Sequence, residues 1–422
     1  MLKTKAVRLY GANDLRLEEF ELPEIKDDEI LARIITDSIC MSTYKATIQG
    51  PKHKRVPDNV AENPVIVGHE FCGDIVKVGK DCDKKYKVGS KFAIQPAISD
   101  PANVHAAPGY SFKHIGGAAT YVIIPSIVMD RNCLMDYSGE SYYMGSLAEP
   151  VSCIIGGFHV NYHSDPGSYV HNMGIVEGGK MALLAGVGPM GLGAIDYAIH
   201  CERRPSLLVV TDIDDARLMR AEQIYTVKEA AKNGVELVYI NTSGNEDVSG
   251  TLRELTGGTG FDDVYVYAPV KALLQQASDI LGYDGCLNFF AGPTDPTFSA
   301  EFNYYNVHYM NTHVAGNSGG NNDDLLEALD KISQGIINPS PMVTHIGGLD
   351  AVIDTTKNLP KIPGGKKLIY TQISMPLTAI SDFRELGKKD KMFSDLADIV
   401  EKNNGLWCLE AEKYILKNGK SI

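Results

Sequence analysis

Residue types that bind zinc in enzymes occur at three separate points of the first 150 residues. Cys40 lies in a turn, His69 and Glu70 stand between two apolar runs in VIVGHEFCGDIV, and Glu149 precedes Pro150. A thiolate, an imidazole and a carboxylate can hold a catalytic zinc ion and leave one coordination position for substrate. Each residue alone has an ordinary alternative, because cysteine is often a small buried apolar residue and histidine a hydrogen-bonded structural one. Together they predict a metal site.

A glycine-rich turn follows the apolar run Met181–Ala185 and opens a helical pattern. It reads GVGPMG, which fits the GxGxxG pattern of dinucleotide-binding turns. Its first glycine permits the tight turn, its second lets the backbone approach a pyrophosphate, and its third lets helix and strand pack closely. The helix N-terminus favours phosphate through its free N–H groups. The predicted cofactor-binding residues here are Gly186, Gly188, Pro189, Met190 and Gly191.

An acidic residue, Asp212, ends the next apolar strand. Its carboxylate can accept hydrogen bonds from both ribose hydroxyls and repels a 2′-phosphate, which predicts NAD(H) rather than NADP(H). Arg217 lies nearby and could tolerate the extra phosphate, so NADP(H) stays an alternative.

The elements that must position these residues fall into two patterns. Residues 1–150 contain short β signals broken by glycine and proline, which is typical of a barrel-like β unit. From about residue 178, apolar strand runs alternate with helical patterns, which predicts a doubly wound parallel sheet. We therefore expect an α/β protein with a dinucleotide-binding domain at 151–320, and a catalytic domain formed by 1–150 and 321–422. The polar segment 161–174 is interpreted as a surface loop, and the charged tail from Pro376 as helical.

Composition excludes several classes of protein. The 422 residues carry 40 basic and 53 acidic side chains, a net charge of −13, which argues against nucleic acid or an anionic membrane as main partner. No apolar run reaches the length of a membrane span, and the N-terminus lacks the apolar core of a signal peptide. The eight cysteines include no CxxC pair, which indicates a reduced, cytoplasmic protein.

The order of these motifs resembles the zinc-containing medium-chain alcohol dehydrogenases. Cys40, the GHE triplet with its downstream glycines, the Glu149-Pro150 pair and GVGPMG carry the resemblance, which spans about residues 1–374. The sequence is more similar to the sorbitol-type than to the liver-type members. KTKAVRLYG, ELPEIKDDEILA, IVGHEFCGDI, PGYSF, GPMGL and IDYA look like the L-sorbose 1-phosphate reductase branch.

This resemblance implies a GroES-like β-barrel catalytic domain beside a Rossmann domain. It makes Cys40, His69 and Glu70 or Glu149 the ligands of one catalytic zinc ion, and Ser42 the hydroxyl that relays the proton. It implies an NAD(P)H-linked reductase that converts L-sorbose 1-phosphate to D-glucitol 6-phosphate by hydride transfer to a zinc-polarised ketone. Relatives are commonly dimers or tetramers, so a homo-oligomer is expected by analogy.

The sequence departs from the family pattern in two places. No cysteine occurs from 83 to 132, where many relatives carry a structural-zinc lobe, so we expect no structural zinc. Thr43 stands where many relatives carry aspartate, and Lys45 where some carry a relay histidine. Lys45 could relay the proton or contact a substrate phosphate. For that phosphate, Lys52-His53-Lys54-Arg55 is the densest basic cluster, although such a run is often a solvated loop. His114 is a weaker candidate.

Two other functions remain open. One is a dehydrogenase of unphosphorylated polyols or of a small amino alcohol. The other is a zinc-free relative that serves as a nucleotide-binding sensor. Substrate profiling distinguishes the polyol or amino-alcohol dehydrogenase from the sugar-phosphate reductase. Metal analysis distinguishes the zinc-free sensor from a zinc enzyme.

Overall fold

The computed structural model describes residues 2–422 and divides into two compact units. The first runs from the start of the chain to Pro150 and includes Asn321–Ile422, and the second is Val151–Gly320. No helix within residues 2–422 is long and apolar enough to cross a membrane.

The first unit begins with short strands, as the frequent turn residues in its sequence predict. The strands are β1 (Lys3–Gly11), β2 (Asp14–Glu21), β3 (Ile30–Ile39), β4 (Val65–Ile66), β5 (Phe71–Val78), β6 (Lys91–Ile94), β7 (Tyr121–Ile124) and β8 (Leu134–Asp136). The helices are α1 (Met41–Gln49), α2 (Ser126–Asp130) and α3 (Tyr142–Val160). Apolar side chains of these strands, among them Ile34, Phe71 and Phe92, form one buried core.

The second unit alternates strands and helices. Its strands are β9 (Tyr162–Ser164), β10 (His171–Met173), β11 (Lys180–Leu184), β12 (Leu207–Asp212), β13 (Glu236–Asn241), β14 (Phe261–Val266), β15 (Leu281–Phe289) and β16 (His313–Ala315). Its helices are α4 (Pro189–His200), α5 (Asp215–Ile224), α6 (Val227–Lys232), α7 (Val248–Leu255), α8 (Lys271–Ile280) and α9 (Tyr304–Met310). The parallel sheet has the order β13-β12-β11-β14-β15-β16, which is the strand order of dinucleotide-binding folds. The predicted doubly wound sheet is confirmed.

The remaining chain returns to the first unit. It forms α10 (Asn322–Ser333), β17 (Val343–Gly348), α11 (Val352–Asn358), β18 (Lys366–Tyr370), β19 (Thr378–Ala379), α12 (Phe383–Leu386), α13 (Lys391–Lys402) and α14 (Leu409–Asn418). The large sheet of this unit has the order β19-β17-β18-β3-β5-β6-β8, and β7 also pairs with β3. Strand β3 thus has β18 on one side and β5 on the other.

The tail packs on its own unit through a buried polar network. Trp407 is fully buried and donates from Nε1 to Tyr370 Oη at 2.8 Å. The Glu412 carboxylate accepts from the backbone N–H groups of Tyr142 and Tyr143, at 2.7 and 2.9 Å, and so caps the start of α3. The tail therefore covers the unit that carries the predicted metal ligands.

One expectation is partly wrong. Residues 161–174, predicted as a loop, include the antiparallel pair β9 and β10, in which His171 lies opposite Ser164. The Tyr162 ring stacks between His171 and His313, with ring centroids 4.2 and 4.0 Å away. Aromatic stacking therefore stabilises a hairpin that shows no apolar alternation. Residues 96–117 contain neither helix nor strand.

Candidate functional site

The predicted ligands meet at the end of strand β3. Cys40 directly follows β3, and His69 and Glu70 directly precede β5. Because β3 and β5 are antiparallel, with Asp37 opposite Phe71, these chain ends lie side by side. Ligand atoms of Cys40, His69 and Glu70 all lie within 4.8 Å of one another. The structure thus brings together three of the four predicted ligands.

A glycine turn places His69 and Glu70. Gly68 has a φ of +93°, and a Cβ on it would lie 2.2 Å from Oδ2 of Asp37. Only glycine fits this close approach without strain. The Glu70 N–H donates to Asp37 Oδ1 at 3.3 Å, which fixes the following residue. Burial raises the pKa of Asp37 well above its ordinary range, and the charge of Glu70 adds to the rise.

Three hydroxyl groups surround the His69 ring. Ser42 Oγ lies 3.0 Å from Cys40 Sγ and 3.2 Å from His69 Nε2, so it touches two predicted ligands. Thr43 Oγ1 lies 3.3 Å from His69 Nδ1, and Tyr110 Oη lies 3.3 Å from Nε2. Thr43 thus orients the ring through Nδ1, while Ser42 and Tyr110 contact Nε2.

A buried lysine balances the charge of Glu70. Lys366 Nζ donates to Glu70 Oε1 at 2.5 Å, and Ser38 Oγ donates to Oε2 of the same carboxylate. Burial would raise the pKa of Glu70, but the positive charge of Lys366, with the hydrogen bonds from Lys366 and Ser38, outweighs burial and lowers the pKa. Burial would likewise lower the pKa of Lys366, and the Glu70 charge raises it instead. Both groups are therefore charged.

Glu149, the fourth predicted ligand, is buried within electrostatic reach of the cluster. Burial and then the charge of Glu70 raise its pKa to about 7. Its carboxyl group is not among the three groups whose ligand atoms lie within 4.8 Å. Glu149 thus lies beside the cluster but outside the group of three possible ligands.

The chemistry of the donor set fits zinc. Sulfur, imidazole nitrogen and carboxylate oxygen are its preferred ligands. Burial lowers the pKa of His69, which leaves the imidazole neutral as a ligand must be. Burial and the Glu70 charge raise the pKa of the Cys40 thiol, so a cation is what would stabilise its thiolate. These residues fit a zinc ion.

The predicted basic run divides into two parts. Lys52 and Lys54 are exposed, whereas His53 and Arg55 are half-buried against the Tyr110 ring. The His53 ring stacks on Tyr110 with centroids 5.8 Å apart, and the Arg55 guanidinium carbon lies 5.4 Å from the Tyr110 centroid. Burial and the charges of Arg55 and Lys54 lower the pKa of His53 to about 4.

The other two predicted cations differ in position. Lys45 is half-buried on α1, and burial lowers its pKa, although a charge on Cys40 opposes this. Lys45 therefore lies within electrostatic reach of the ligand cluster. His114 instead has Lys113, Arg8 and Glu29 as its charged neighbours, which separates it from the ligands.

The glycine-rich turn has the geometry of a nucleotide-phosphate site. Helix α4 begins at Pro189 with Gly188 as its N-cap, and Met190 lies in its first turn. A Cβ on Gly191 would lie 2.1 Å from the Gly186 oxygen, so close packing requires glycine there. A Cβ on Gly188 would meet nothing within 4 Å, which leaves open space at the helix N-terminus. This space fits a nucleotide pyrophosphate.

Asp212 ends strand β12, and one of its carboxylate oxygens accepts hydrogen bonds from the backbone. Its Oδ1 accepts from the N–H groups of Ile213 at 2.8 Å and Asp214 at 3.2 Å. Arg217 Nε lies 3.7 Å from Asp214 Oδ2, and both side chains are about half exposed. Arg217 is thus near the strand end but is held by another carboxylate.

Sequence reasoning missed Lys366, Ser38 and Tyr110. Lys366 precedes Lys367, which lies opposite Ile39 in the β3–β18 pair, so strand register brings it to the cluster. No local pattern in the sequence signals that pairing. Tyr110 lies in the PGYSF segment that contributes to the family resemblance, so that segment could have indicated Tyr110 as a site residue.

Comparisons with known proteins agree with this architecture. Residues 26–130 match the alcohol dehydrogenase GroES-like domain family, and residues 189–334 match the zinc-binding dehydrogenase family. The structure of 2R,3R-butanediol dehydrogenase from Bacillus subtilis has the same fold, with a TM-score of 0.70 at 22% identity over 87% of this chain and 99% of that one. Other solved structures of this fold hold NADP or NADH.

Two relatives match essentially the full chain. Mannitol-1-phosphate 5-dehydrogenase from Aliivibrio fischeri is 52% identical over 417 residues, which cover 99% of this chain and 98% of the relative. L-sorbose 1-phosphate reductase from Klebsiella pneumoniae is 47% identical over 422 residues, 100% of this chain and 99% of the relative. The chain therefore belongs to the zinc-binding medium-chain alcohol dehydrogenase family, as an oxidoreductase of its polyol and sugar-phosphate dehydrogenase group.

Proposed function

We propose that this enzyme is an NAD(P)H-linked, zinc-dependent reductase that converts L-sorbose 1-phosphate to D-glucitol 6-phosphate. The observation that carries the proposal is the cluster of half-buried Cys40 with buried His69 and Glu70, in which the Ser42 hydroxyl contacts Cys40 and His69. The 47% identity to an L-sorbose 1-phosphate reductase supports the choice of substrate.

The residues of the site have separate tasks in this proposal. Cys40, His69 and Glu70 would hold one zinc ion, with Glu149 as the alternative carboxylate. When bound, zinc supplies a Lewis acid for the ketone oxygen, and the nicotinamide supplies the hydride. The Ser42 hydroxyl holds the proton that the product oxygen takes up in reduction and receives it back in oxidation.

The cofactor part of the proposal favours NADH. Gly186, Gly188 and Gly191, with the start of α4 at Pro189 and Met190, would hold the pyrophosphate. Asp212 has Oδ2 available for ribose hydroxyls and would repel a 2′-phosphate. Arg217 is paired with Asp214, which limits its help to NADPH.

A second candidate activity is oxidation of mannitol 1-phosphate. The 52% identity to a mannitol-1-phosphate 5-dehydrogenase favours it. The same zinc ligands and the same proton carrier would serve this reaction, so the metal site does not discriminate between the two. Unphosphorylated polyols are a third option. The buried sulfur, nitrogen and oxygen donor set supports a metal enzyme over a zinc-free sensor.

Initial rates with purified enzyme test these proposals. We expect NADH oxidation with L-sorbose 1-phosphate at a kcat/KM at least about a hundredfold above that for L-sorbose, because charge-assisted contacts to phosphate contribute about 1.5–3 kcal/mol each. Equal efficiency on both sugars would refute the phosphate specificity. Faster NAD reduction with mannitol 1-phosphate than with D-glucitol 6-phosphate would favour the second candidate.

We further propose a cytoplasmic homo-oligomer that contains no structural zinc. All eight cysteines are free thiols in the structure, which supports a reducing compartment. Sedimentation measures the number of subunits. Metal analysis that gives about two zinc ions per chain would contradict the single-zinc proposal.

A further inference from the structure

A second group of charged and aromatic side chains adjoins the ligand cluster. Tyr110 connects this group to the ligand cluster. Its Oη contacts His69 Nε2 at 3.3 Å, and its ring packs against His53 and Arg55. The positive charge of Arg55 acts on His69, and the charges of Arg55 and Lys45 both act on His53. Two half-buried cations thus lie within electrostatic reach of His53, which packs on the ring of Tyr110.

The Arg55 guanidinium differs from the Lys366 ammonium in whether a carboxylate neutralises its charge. Lys366 is committed to the Glu70 carboxylate. The Arg55 guanidinium has no ion pair with a carboxylate anywhere in residues 2–422. A half-buried arginine without a counter-ion has lost part of its hydration. An anion beside it therefore gains more electrostatic binding energy than it would beside an exposed lysine.

The neighbours of Arg55 favour an anion of defined geometry. The Tyr110 ring face lies under the guanidinium and restricts its orientation. His53 Nδ1 accepts from the Arg55 backbone N–H at 3.3 Å, which makes the neutral ring a donor at Nε2. A planar guanidinium with several N–H groups suits the bidentate binding of a phosphate.

We infer that Arg55, with Lys45 as the second cation and with the Tyr110 ring holding Arg55 beside the predicted ligand His69, forms the subsite for the substrate phosphate. The inference rests on the proposed function, because it identifies where a phosphorylated sugar is recognised. The exposed Lys52 and Lys54 are outside this subsite, since their charges are screened by salt and water.

Kinetics of the zinc-loaded full-length enzyme test the inference, with Arg55→Gln as the variant and Lys54→Gln as its matched control. We expect Arg55→Gln to raise the KM for L-sorbose 1-phosphate about tenfold to a hundredfold and to change kcat less than about threefold. Its kcat/KM for unphosphorylated L-sorbose stays within about twofold of wild type. Arg55→Lys keeps part of the affinity, and Lys54→Gln changes neither constant more than about twofold.

Inhibition by inorganic phosphate is the second measurement. Phosphate should compete with the sugar phosphate in the wild type, and its inhibition constant should rise in Arg55→Gln and in Lys45→Met. Equal losses on L-sorbose and its phosphate, or an unchanged phosphate inhibition constant, would overturn the Arg55 assignment alone. A wild-type enzyme that uses both sugars equally well would overturn the proposed function as well, so the two failures are distinguishable.

Discussion

Lys366 and Glu70 form a buried ion pair although 296 residues separate them in the chain. Their side chains are 7% and 1% exposed, so water screens the pair very little. Strand β3 lies between β18, which carries Lys366, and β5, which Glu70 directly precedes, and Cys40 directly follows β3. The ion pair therefore lies at the point where the metal ligands converge.

Replacing Lys366 with methionine should strongly destabilise the enzyme. The change leaves the Glu70 carboxylate buried without a counter-ion, which costs about 3–5 kcal/mol of unfolding free energy. The double variant Lys366→Met/Glu70→Gln should recover more than half of that loss. Urea unfolding measures each value, with the exposed Lys361→Gln as control. A loss below about 1 kcal/mol in the single variant would contradict the role of the pair.

The Rossmann unit and its nucleotide turn could be predicted because their determinants are local. The turn Gly186–Gly191, its flanking apolar strand and Asp212 follow one another within a single βαβ segment. The metal ligands could be predicted only as residue types in family order, because the register of β3 with β5 brings them together. Lys366 had no such signal, since its position depends on the β3–β18 register.

The hairpin at residues 162–173 shows a different reason for failure. Its sequence is polar and turn-rich, and it contains no alternation of apolar residues. Stacking of Tyr162 between His171 and His313 stabilises the hairpin in place of apolar packing, but His313 lies far along the chain. Contacts of this kind depend on the tertiary fold and leave no periodic signal.

Metal content should distinguish the two candidate carboxylates. Glu70 is in the group whose ligand atoms lie within 4.8 Å, so Glu70→Gln should lower zinc occupancy more than Glu149→Gln. Cys40→Ala and His69→Ala should reduce it most, from about one ion per chain towards none. Inductively coupled plasma mass spectrometry on dialysed protein measures this. A larger loss in Glu149→Gln would assign the metal to Glu149.

Asp212 should control the choice of nucleotide. Asp212→Ser removes the negative charge that repels a 2′-phosphate and the acceptor for ribose hydroxyls. We expect kcat/KM for NADH to fall about tenfold or more and that for NADPH to rise. Adding Arg217→Gln to this variant should change kcat/KM for NADPH little, because Arg217 is paired with Asp214. An unchanged ratio of NADH to NADPH efficiency in Asp212→Ser would show that the strand end does not select the cofactor.

Glu412 should make stability depend on pH. Burial raises its pKa from an ordinary 4.5 to about 7, although its hydrogen bonds to Tyr143, Tyr142 and Tyr370 oppose the rise. Between these values the folded state binds more protons than the unfolded state, so the stability contributed by this group falls as pH rises. The full change is at most about 3 kcal/mol.

Urea unfolding at pH 5 and pH 8 measures this effect. Glutamine does not titrate, so Glu412→Gln is the reference at each pH. The unfolding free energy of wild type minus that of Glu412→Gln should be lower at pH 8 than at pH 5. Glu410→Gln, an exposed site on the same helix, is the control and should track wild type at both pH values. The same pH dependence in all three proteins would exclude Glu412 as the source.

Two alanine variants of the nucleotide turn should affect different properties: one should lower the stability of the protein, and the other its affinity for NADH. In Gly191→Ala the new Cβ would lie 2.1 Å from the Gly186 oxygen, so the turn must shift, and stability should fall by about 1–3 kcal/mol. In Gly188→Ala the Cβ meets nothing within 4 Å, so the protein should fold as wild type does. Its methyl group would occupy the space at the start of α4, where phosphate must approach the backbone, so the Kd for NADH should rise at least about tenfold. Thermal unfolding and NADH fluorescence titration measure the two effects, and wild-type affinity in Gly188→Ala would mean that the pyrophosphate lies elsewhere.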